Sequence, residues 1–210
     1  MNIIFLGAPG AGKGTQAERI SALLGIPTVS TGAMIREAIK NGTEMGREAA
    51  AYTERGALLP DEVVNGIVKE RLAEEDCKNG WILDGFPRTL PQAEALKAMQ
   101  IRVDAVVSLE IADETIVDRM TGRRVCPACG ETYHVKSNPS PAGENCAKCG
   151  APLTVRKDDA PEVVLSRLKV YHEQSEPLKA YYKEKVVTVN ADAPLDRITD
   201  EILRALGAKA

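Results

Sequence analysis

Four sets of residues in this 210-residue chain have types and spacings that chemistry can use. The first is Gly7-Ala-Pro-Gly10-Ala11-Gly12-Lys13-Gly14-Thr15. Residues without Cβ atoms let successive backbone N–H groups turn toward one anion, and Lys13 adds a point charge, so the stretch reads as a phosphate cradle. It departs once from the pattern G-x-x-x-x-G-K-[ST]: Gly14 stands where Ser or Thr belongs, and Thr15 comes one residue late. The second set is Cys126-Pro-Ala-Cys129 and Cys146-Ala-Lys-Cys149, each pair followed by glycine, with sixteen residues between them. Four thiolates at this spacing suit one tetrahedral zinc ion and leave it no open position, which makes the site structural. Disulfides or a redox pair are the alternatives, and a reducing compartment disfavours them. The third set is Arg36, Arg88, Arg119, Arg123, Arg156 and Arg167, all near turns; a planar guanidinium can grip two phosphate oxygens at once, although each of these taken singly reads as a solvated surface arginine. The fourth is Asp84, which ends an apolar run.

Placing these groups falls to an alternation of strands and helices. Ile3 to Leu6 is apolar on both faces, as a central parallel strand requires, and the helix after the cradle carries Ala17, Ile20, Leu23 and Leu24 to about Gly25. Ile26 to Ser30 is a short extended piece that delivers Thr31-Gly32 to a loop. Ala33 to Arg55 is helical but interrupted at Asn41-Gly42 and at Gly46, which predicts two or three short helices. Pro60 and Asp61 start a helix whose buried face is Val63, Val64, Ile67, Val68 and Leu72. Gly80 to Asp84 is a strand, followed by Gly85-Phe86-Pro87-Arg88; ligands of open parallel sheets bind beyond such strand ends. A helix from Pro91 to Met99, a strand from Ala105 to Ile111 and a helix capped by Asp113 and ending at Thr121 come next. Residues 122–159 carry four cysteines and little helical periodicity, and read as an inserted minidomain. Pro161 to Lys185 resumes as helix, Val186 to Val189 is the last strand, and Leu195 to Leu206 the last helix. Five strands alternating with helices give an α/β fold with a parallel, right-handed sheet. Cys77, near a helix end, reads as a packing residue.

Composition narrows the function. With 27 basic and 30 acidic residues the net charge is -3, which gives no general attraction to nucleic acid or anionic lipid. No leader and no bilayer-length apolar run is visible, so a cytoplasmic protein is expected. The insert could instead be a nucleic-acid reader. Its six cations face four carboxylates, and four thiolates around zinc add about two negative charges, so it is near neutral. Tyr133 and His134 make a poor stacking platform for bases. The chain has only two histidines and no Ser-His-Asp arrangement. Phosphoryl transfer between two phosphates needs neither, because the acceptor oxygen is already anionic and alignment, charge neutralisation and exclusion of water suffice.

GAPGAGKGTQ, STGAMIR, LDGFPRT, TGRR, the two cysteine pairs and RKDD together resemble the adenylate kinase family, of the long, zinc-lid bacterial type, over almost the whole chain. The resemblance implies a P-loop kinase fold: a core of residues 1–29, 60–121 and 160–210 with a five-stranded parallel sheet flanked by helices, an AMP-binding flap at 30–59 and a zinc-binding lid at 122–159. It implies the reaction ATP + AMP to 2 ADP with magnesium, a structural zinc, and a cytoplasmic monomer that binds nucleotides but neither nucleic acid nor membrane. By the same resemblance Gly10, Ala11, Gly12, Lys13, Gly14 and Thr15 hold ATP phosphates; Arg119, Arg123, Thr132 and Tyr133 meet ATP from the lid side; and the Ala193 carbonyl meets its adenine. Thr31, Arg36, Ala57, Leu58, Leu59, Gly85, Phe86, Pro87, Arg88 and Gln92 would form the AMP pocket, with Arg156 and Arg167 reaching both nucleotides. Lys13, Asp84, Arg88, Arg123, Arg156 and Arg167 would be the catalytic set. The family usually has S-T-G-D, and Ala33 here replaces a carboxylate near the magnesium waters. Thr31 and Gln92 accompany AMP in the family; a kinase acting on CMP or UMP, or using GTP, is the alternative.

Overall fold

A computed structural model describes residues 1–208. Its strands are β1 (Asn2–Gly7), β2 (Thr28–Ser30), β3 (Trp81–Asp84), β4 (Ala105–Glu110), β5 (Arg123–Val125), β6 (Thr132–His134) and β7 (Val186–Asn190). Five of them form one parallel sheet in the order β2-β3-β1-β4-β7, and β5 and β6 pair antiparallel in a second, small sheet within the insert. The helices are α1 (Lys13–Leu24), α2 (Thr31–Lys40), α3 (Glu44–Glu54), α4 (Asp61–Leu72), α5 (Leu90–Ala98), α6 (Asp113–Thr121), α7 (Pro161–Val170), α8 (Leu178–Tyr181) and α9 (Leu195–Ala205).

The central strand explains the layering. Side chains alternate along a strand, so Ile3 and Phe5 of β1 pack on one face with Ala17 and Ile20 of α1 and Ile198, Ile202 and Leu203 of α9. Ile4 and Leu6 pack on the other with Val64 and Val68 of α4, Ala93 and Leu96 of α5 and Leu178 of α8. Burying such a branched side chain fully is worth about 1.5–3 kcal/mol, and β1 buries Ile3, Ile4 and Phe5 to 1% exposure or less. The chain runs from β1 to one side, then crosses back to β4 on the other, so β1 lies at the switch point and its carboxyl end opens into a crevice. Among the described residues, no helix is long and apolar enough to cross a membrane.

The expected elements are found, with four corrections. Thr31-Gly32 is the first turn of α2 and not a loop, because the Thr31 hydroxyl donates to the Gly85 carbonyl at 2.8 Å and pins the helix start to β3. Gly46 does not interrupt a helix. It lies inside α3, where a Cβ would come 2.1 Å from the Ala38 carbonyl oxygen, so its role is close packing of α3 on α2. Asp113 is not a cap but the first residue of α6, its carboxylate 2.9 Å from His172 Nε2. The helix expected from Pro161 to Lys185 breaks after α7 into a π turn, Tyr171–Ser175, where the Glu176 N–H reaches back to the Tyr171 carbonyl at 2.9 Å.

Candidate active site

The loop from β1 to α1 forms the floor of the crevice. Gly10 adopts φ +83, and a Cβ there would lie 2.7 Å from Met120 Cγ, so only glycine lets the loop press against α6. No side chain caps α1 and no acidic residue sits in its first turn. Its first N–H groups are thus left facing the crevice, a ready anion site. Lys13 Nζ donates to the loop's own Gly7 and Ala8 carbonyls at 2.6 and 2.8 Å. Burial lowers its pKa to about 8 against the opposing pull of Asp84. Asp84, at the end of β3, accepts from Ser30 Oγ at 3.2 Å, and a Cβ on Gly14 would be 3.5 Å from its Oδ2.

Around this floor the structure gathers the cations that the sequence scattered. Lys13, Arg36, Arg88, Arg123, Arg156 and Arg167 line one cavity of about 1390 Å³, together with Asp84 and Asp158. Single drug-sized ligands fill pockets of roughly 300–1,000 Å³, so the cavity has room for two. Arg88 Nε donates to the Gly85 carbonyl at 2.9 Å, and burial lowers its pKa. Arg123 makes a two-pronged ion pair with Asp159, which is 2% exposed, and Arg167 Nη1 bonds Asp158 Oδ2 at 2.8 Å. Burial, then the neighbouring Arg36 and Arg123, lower Arg156 to about 10; burial also lowers Arg167 to about 10. Burial would raise Asp158, yet Arg167 and Arg36 outweigh it and hold the carboxyl below its ordinary value. The whole lining carries nine Lys and Arg against seven Asp and Glu, but these six buried cations have only Asp84, Asp158 and Asp159 as charged acidic neighbours among the described residues, a local deficit of negative charge suited to phosphate.

The remaining residues named from the sequence fall into place around the same cavity. Gly10 to Thr15, Arg119, Thr132, Tyr133 and Ala193 line it, and so do Thr31, Ala57, Leu58, Leu59, Gly85, Pro87 and Gln92. Phe86 is the exception. Its ring is 0% exposed in the core with Ile4 and Leu83, because the chain turns inward between Gly85 and Pro87 to close the sheet face. Tyr133 lines the cavity while its hydroxyl turns toward the cysteines, accepting from the Ala147 N–H at 3.0 Å and lying 3.5 Å from Cys146 Sγ. Arg119 Nη2 donates to the Ala191 carbonyl at 3.0 Å, next to Ala193.

In the insert the Sγ atoms of Cys126, Cys129, Cys146 and Cys149 all lie within 4.8 Å of one another. Two pairs stand at 3.4 and 3.6 Å, close to the roughly 3.8 Å edge of a tetrahedron with zinc–sulfur bonds of about 2.3 Å. The donor set therefore fits zinc. Cys77 is buried, its sulfur accepting from Arg71 Nη1 at 3.0 Å.

Three residues at or behind the site carry no role in the sequence reading. Asp158 and Asp159 are the buried counter-charges of Arg167 and Arg123, and their signal was the acidic pair directly after Arg156-Lys157. Asp61 was read only as a helix start, yet its Oδ1 accepts from Gln92 Nε2 at 2.8 Å and from Thr89 Oγ1 at 3.0 Å; nothing local in the sequence announces that pairing.

Comparison with known proteins bears on this geometry. A family model described as adenylate kinase matches residues 5–187. A protein named adenylate kinase from Lachnospira eligens is 50% identical over 213 aligned positions, 99% of this chain and 100% of its own length. Another of that name from Caldicellulosiruptor saccharolyticus is 49% identical with both chains covered fully, and one from Archaeoglobus fulgidus is 50% identical over 93% of this chain and 92% of its own.

Proposed function

This chain belongs to the adenylate kinase family and catalyses ATP + AMP = 2 ADP; we propose that it does so by clamping two nucleotides phosphate to phosphate beneath its ring of cations. The observation that carries this reading is the cluster of Lys13, Arg36, Arg88, Arg123, Arg156 and Arg167 around an uncapped helix N-terminus, with Asp84, Asp158 and Asp159 as its acidic neighbours. ATP phosphates occupy the loop from Gly10 to Thr15, with Lys13 released from its own carbonyls to meet them. The AMP phosphate takes Arg36 and Arg88, while Arg88, Arg123, Arg156 and Arg167 together cover the phosphoryl group in transit. Since the acceptor oxygen is already anionic, no side chain has to remove a proton, and the residues act by alignment and charge.

Magnesium, which adenylate kinases use with ATP, supplies charge neutralisation among the donor phosphates. Asp84 is the residue that would hold its waters. The Ala33 methyl accepts no hydrogen bond, so this chain leaves that anchoring to Asp84 alone. Zinc, in the four-thiol site, would cross-link the insert and take no part in transfer, since four protein ligands close its shell. Residues 30–59 and 122–159 act as covers over the core. Lys40 Nζ donates to the Pro127 carbonyl at 3.2 Å and Lys157 lies 3.3 Å from Glu54, so the two covers already touch each other, and closing further on bound nucleotides would exclude water. We read the protein as a cytoplasmic monomer, as its family resemblance implies; four cysteines set for a metal ion in place of disulfides suit a reducing compartment.

The test is a coupled assay with ATP as donor and AMP, CMP, UMP or GMP as acceptor. AMP is expected to exceed the others in kcat/KM by on the order of a hundredfold or more. Phosphorylation of CMP or UMP as fast as AMP would overturn the acceptor assignment.

A further inference from the structure

We propose that Asp61, which does not line the cleft, sets the purine specificity of the acceptor site by fixing which end of the Gln92 amide meets the base. The inference rests on reading that side of the cleft as the AMP site. Gln92, the third residue of α5 and directly after Pro91, is 2% exposed, and its amide is held from two directions. Oε1 accepts from the Arg88 backbone N–H at 2.7 Å, and Nε2 donates to Asp61 Oδ1 at 2.8 Å. Thr89 closes the ring: its hydroxyl donates to the same Asp61 oxygen at 3.0 Å and accepts the Gln92 backbone N–H at 3.2 Å as the cap of α5.

The donor and acceptor inventory then determines what the amide can still offer. A glutamine amide has two N–H donors and two acceptor lone pairs. Asp61 consumes one donor and the Arg88 N–H one acceptor, which leaves a single N–H on Nε2 and a single lone pair on Oε1. Such a pair matches an edge presenting an acceptor beside a donor, as a 6-aminopurine does with N1 and its amino group. A 6-oxopurine presents the reverse, a donor at N1 and an acceptor at O6, and would set N–H against N–H and oxygen against oxygen. The oxopurine could be read only if the amide turned over. That would direct Nε2 hydrogens at the Arg88 N–H and Oε1 at the Asp61 carboxylate, two like-with-like contacts inside a buried ring. Asp61 supplies the stronger of these two restraints, because it alone carries charge. Asp61 is therefore a positioning residue that acts through Gln92.

The discriminating probe is inosine monophosphate, which has the size of AMP and differs at that edge alone. We measure kcat and KM for AMP and for inosine monophosphate in the parent, in Asp61→Ala, in the isosteric Asp61→Leu and in Asp61→Asn, together with thermal melting of each. In Asp61→Ala and Asp61→Leu the AMP preference in kcat/KM should shrink by on the order of tenfold or more, the worth of a good bidentate base contact. The loss should appear as a higher KM for AMP with little change in kcat. Asp61→Asn retains an oxygen that accepts from both Gln92 and Thr89, and should keep the preference within about threefold. Either apolar variant suffices if the other does not fold. An unchanged preference in a folded apolar variant, or an equal loss for both acceptors carried in kcat, overturns the inference while leaving the AMP site standing. A parent that does not phosphorylate AMP overturns the site reading and this inference with it.

Discussion

The cleft and the cysteine-bearing insert each crowd like groups together, and they leave opposite balances. In the insert four sulfurs sit within 4.8 Å of one another, matched in number and spacing to a single tetrahedral ion that would leave no valence over. In the cleft the cations outnumber the carboxylates, and Arg36 and Arg156 make no side-chain hydrogen bond or ion pair among the described residues. Burial, which disfavours charge, pushes both guanidinium groups below their ordinary range. Completing such a site takes an anion from outside. A closed set of like groups holds the fold, whereas an open set holds a substrate, and variants at each place should separate along that line.

The largest expected effect lies in the open set. Arg88→Ala should lower kcat by on the order of a hundredfold to a thousandfold, the range for losing a group aimed at transition-state charge. Its cost to the fold is small, because the Gly85 carbonyl that Arg88 serves also accepts from Thr31 Oγ1 at 2.8 Å. Thermal melting should therefore fall by only a few degrees, corresponding to roughly 1 kcal/mol for one lost hydrogen bond. A variant that keeps kcat within about tenfold of the parent would break the comparison. Next comes Asp84→Ala, with a loss on the order of a hundredfold that added magnesium repairs in part, since on the proposed reading Asp84 alone would anchor the ion's water shell. Turnover within a few-fold of the parent at every magnesium concentration would refute that role.

How much of this could be read before the fold was known differs between the two places. The cysteine pairs and the phosphate loop announce themselves because their ligands are close in sequence and their spacing is fixed by local geometry. Strand and helix order was likewise legible, since β1 alternates Ile3 and Phe5 against Ile4 and Leu6. The arginines were recognisable only as a family pattern. Residues 36, 88, 123, 156 and 167 converge through the topology of the sheet and through the insert folding back, and no local period encodes that. Their counter-charges are visible as the acidic pair of RKDD, but not whom they pair with: Asp159 is fixed by Arg123, 36 positions earlier. Gly46 misled because the same residue type that ends helices also lets two helices touch, and only the 2.1 Å approach to Ala38 tells the cases apart. Asp61 reads as an ordinary acidic residue at a helix start, a place such residues favour for electrostatic reasons alone.

A smaller effect concerns pH. Burial holds Lys13 at about 8 in the unliganded protein, so above that pH a growing share of free enzyme has lost the ammonium. Bound phosphates favour the charged form and raise the value. The sign is thus a fall in kcat/KM for ATP as pH rises through about 8, approaching tenfold per pH unit, while kcat, which reports the bound state, holds level to higher pH. Parallel profiles for kcat and kcat/KM would show that the Lys13 ammonium is not an open valence of the cleft. Buffers that bind magnesium or phosphate should be avoided in this measurement, because either would imitate the trend.

The smallest expected effect on catalysis is in the closed set, and it sharpens the comparison most. Cys146 is 1% exposed and packs with Tyr133 and Cys126 in the insert's own small core. Replacing it with Ser removes one sulfur from the set of four and puts a weakly ligating hydroxyl in its place, so zinc should be bound far less tightly and the melting temperature should drop, because metal-binding free energy is folding free energy in a small metal-held unit. The six cations of the cleft are untouched, and the roots of the insert stay anchored, since Arg123 holds Asp159 and the Val125 N–H bonds the Thr154 carbonyl at 2.8 Å. Well below the melting point kcat should then remain within about threefold of the parent. Zinc content, melting temperature and low-temperature kcat, measured on one preparation of Cys146→Ser, decide the matter. Zinc-free protein with unchanged melting would deny the metal its structural role, and a fall in kcat as deep as that of Arg88→Ala would place the thiols among the open valences that the substrate completes.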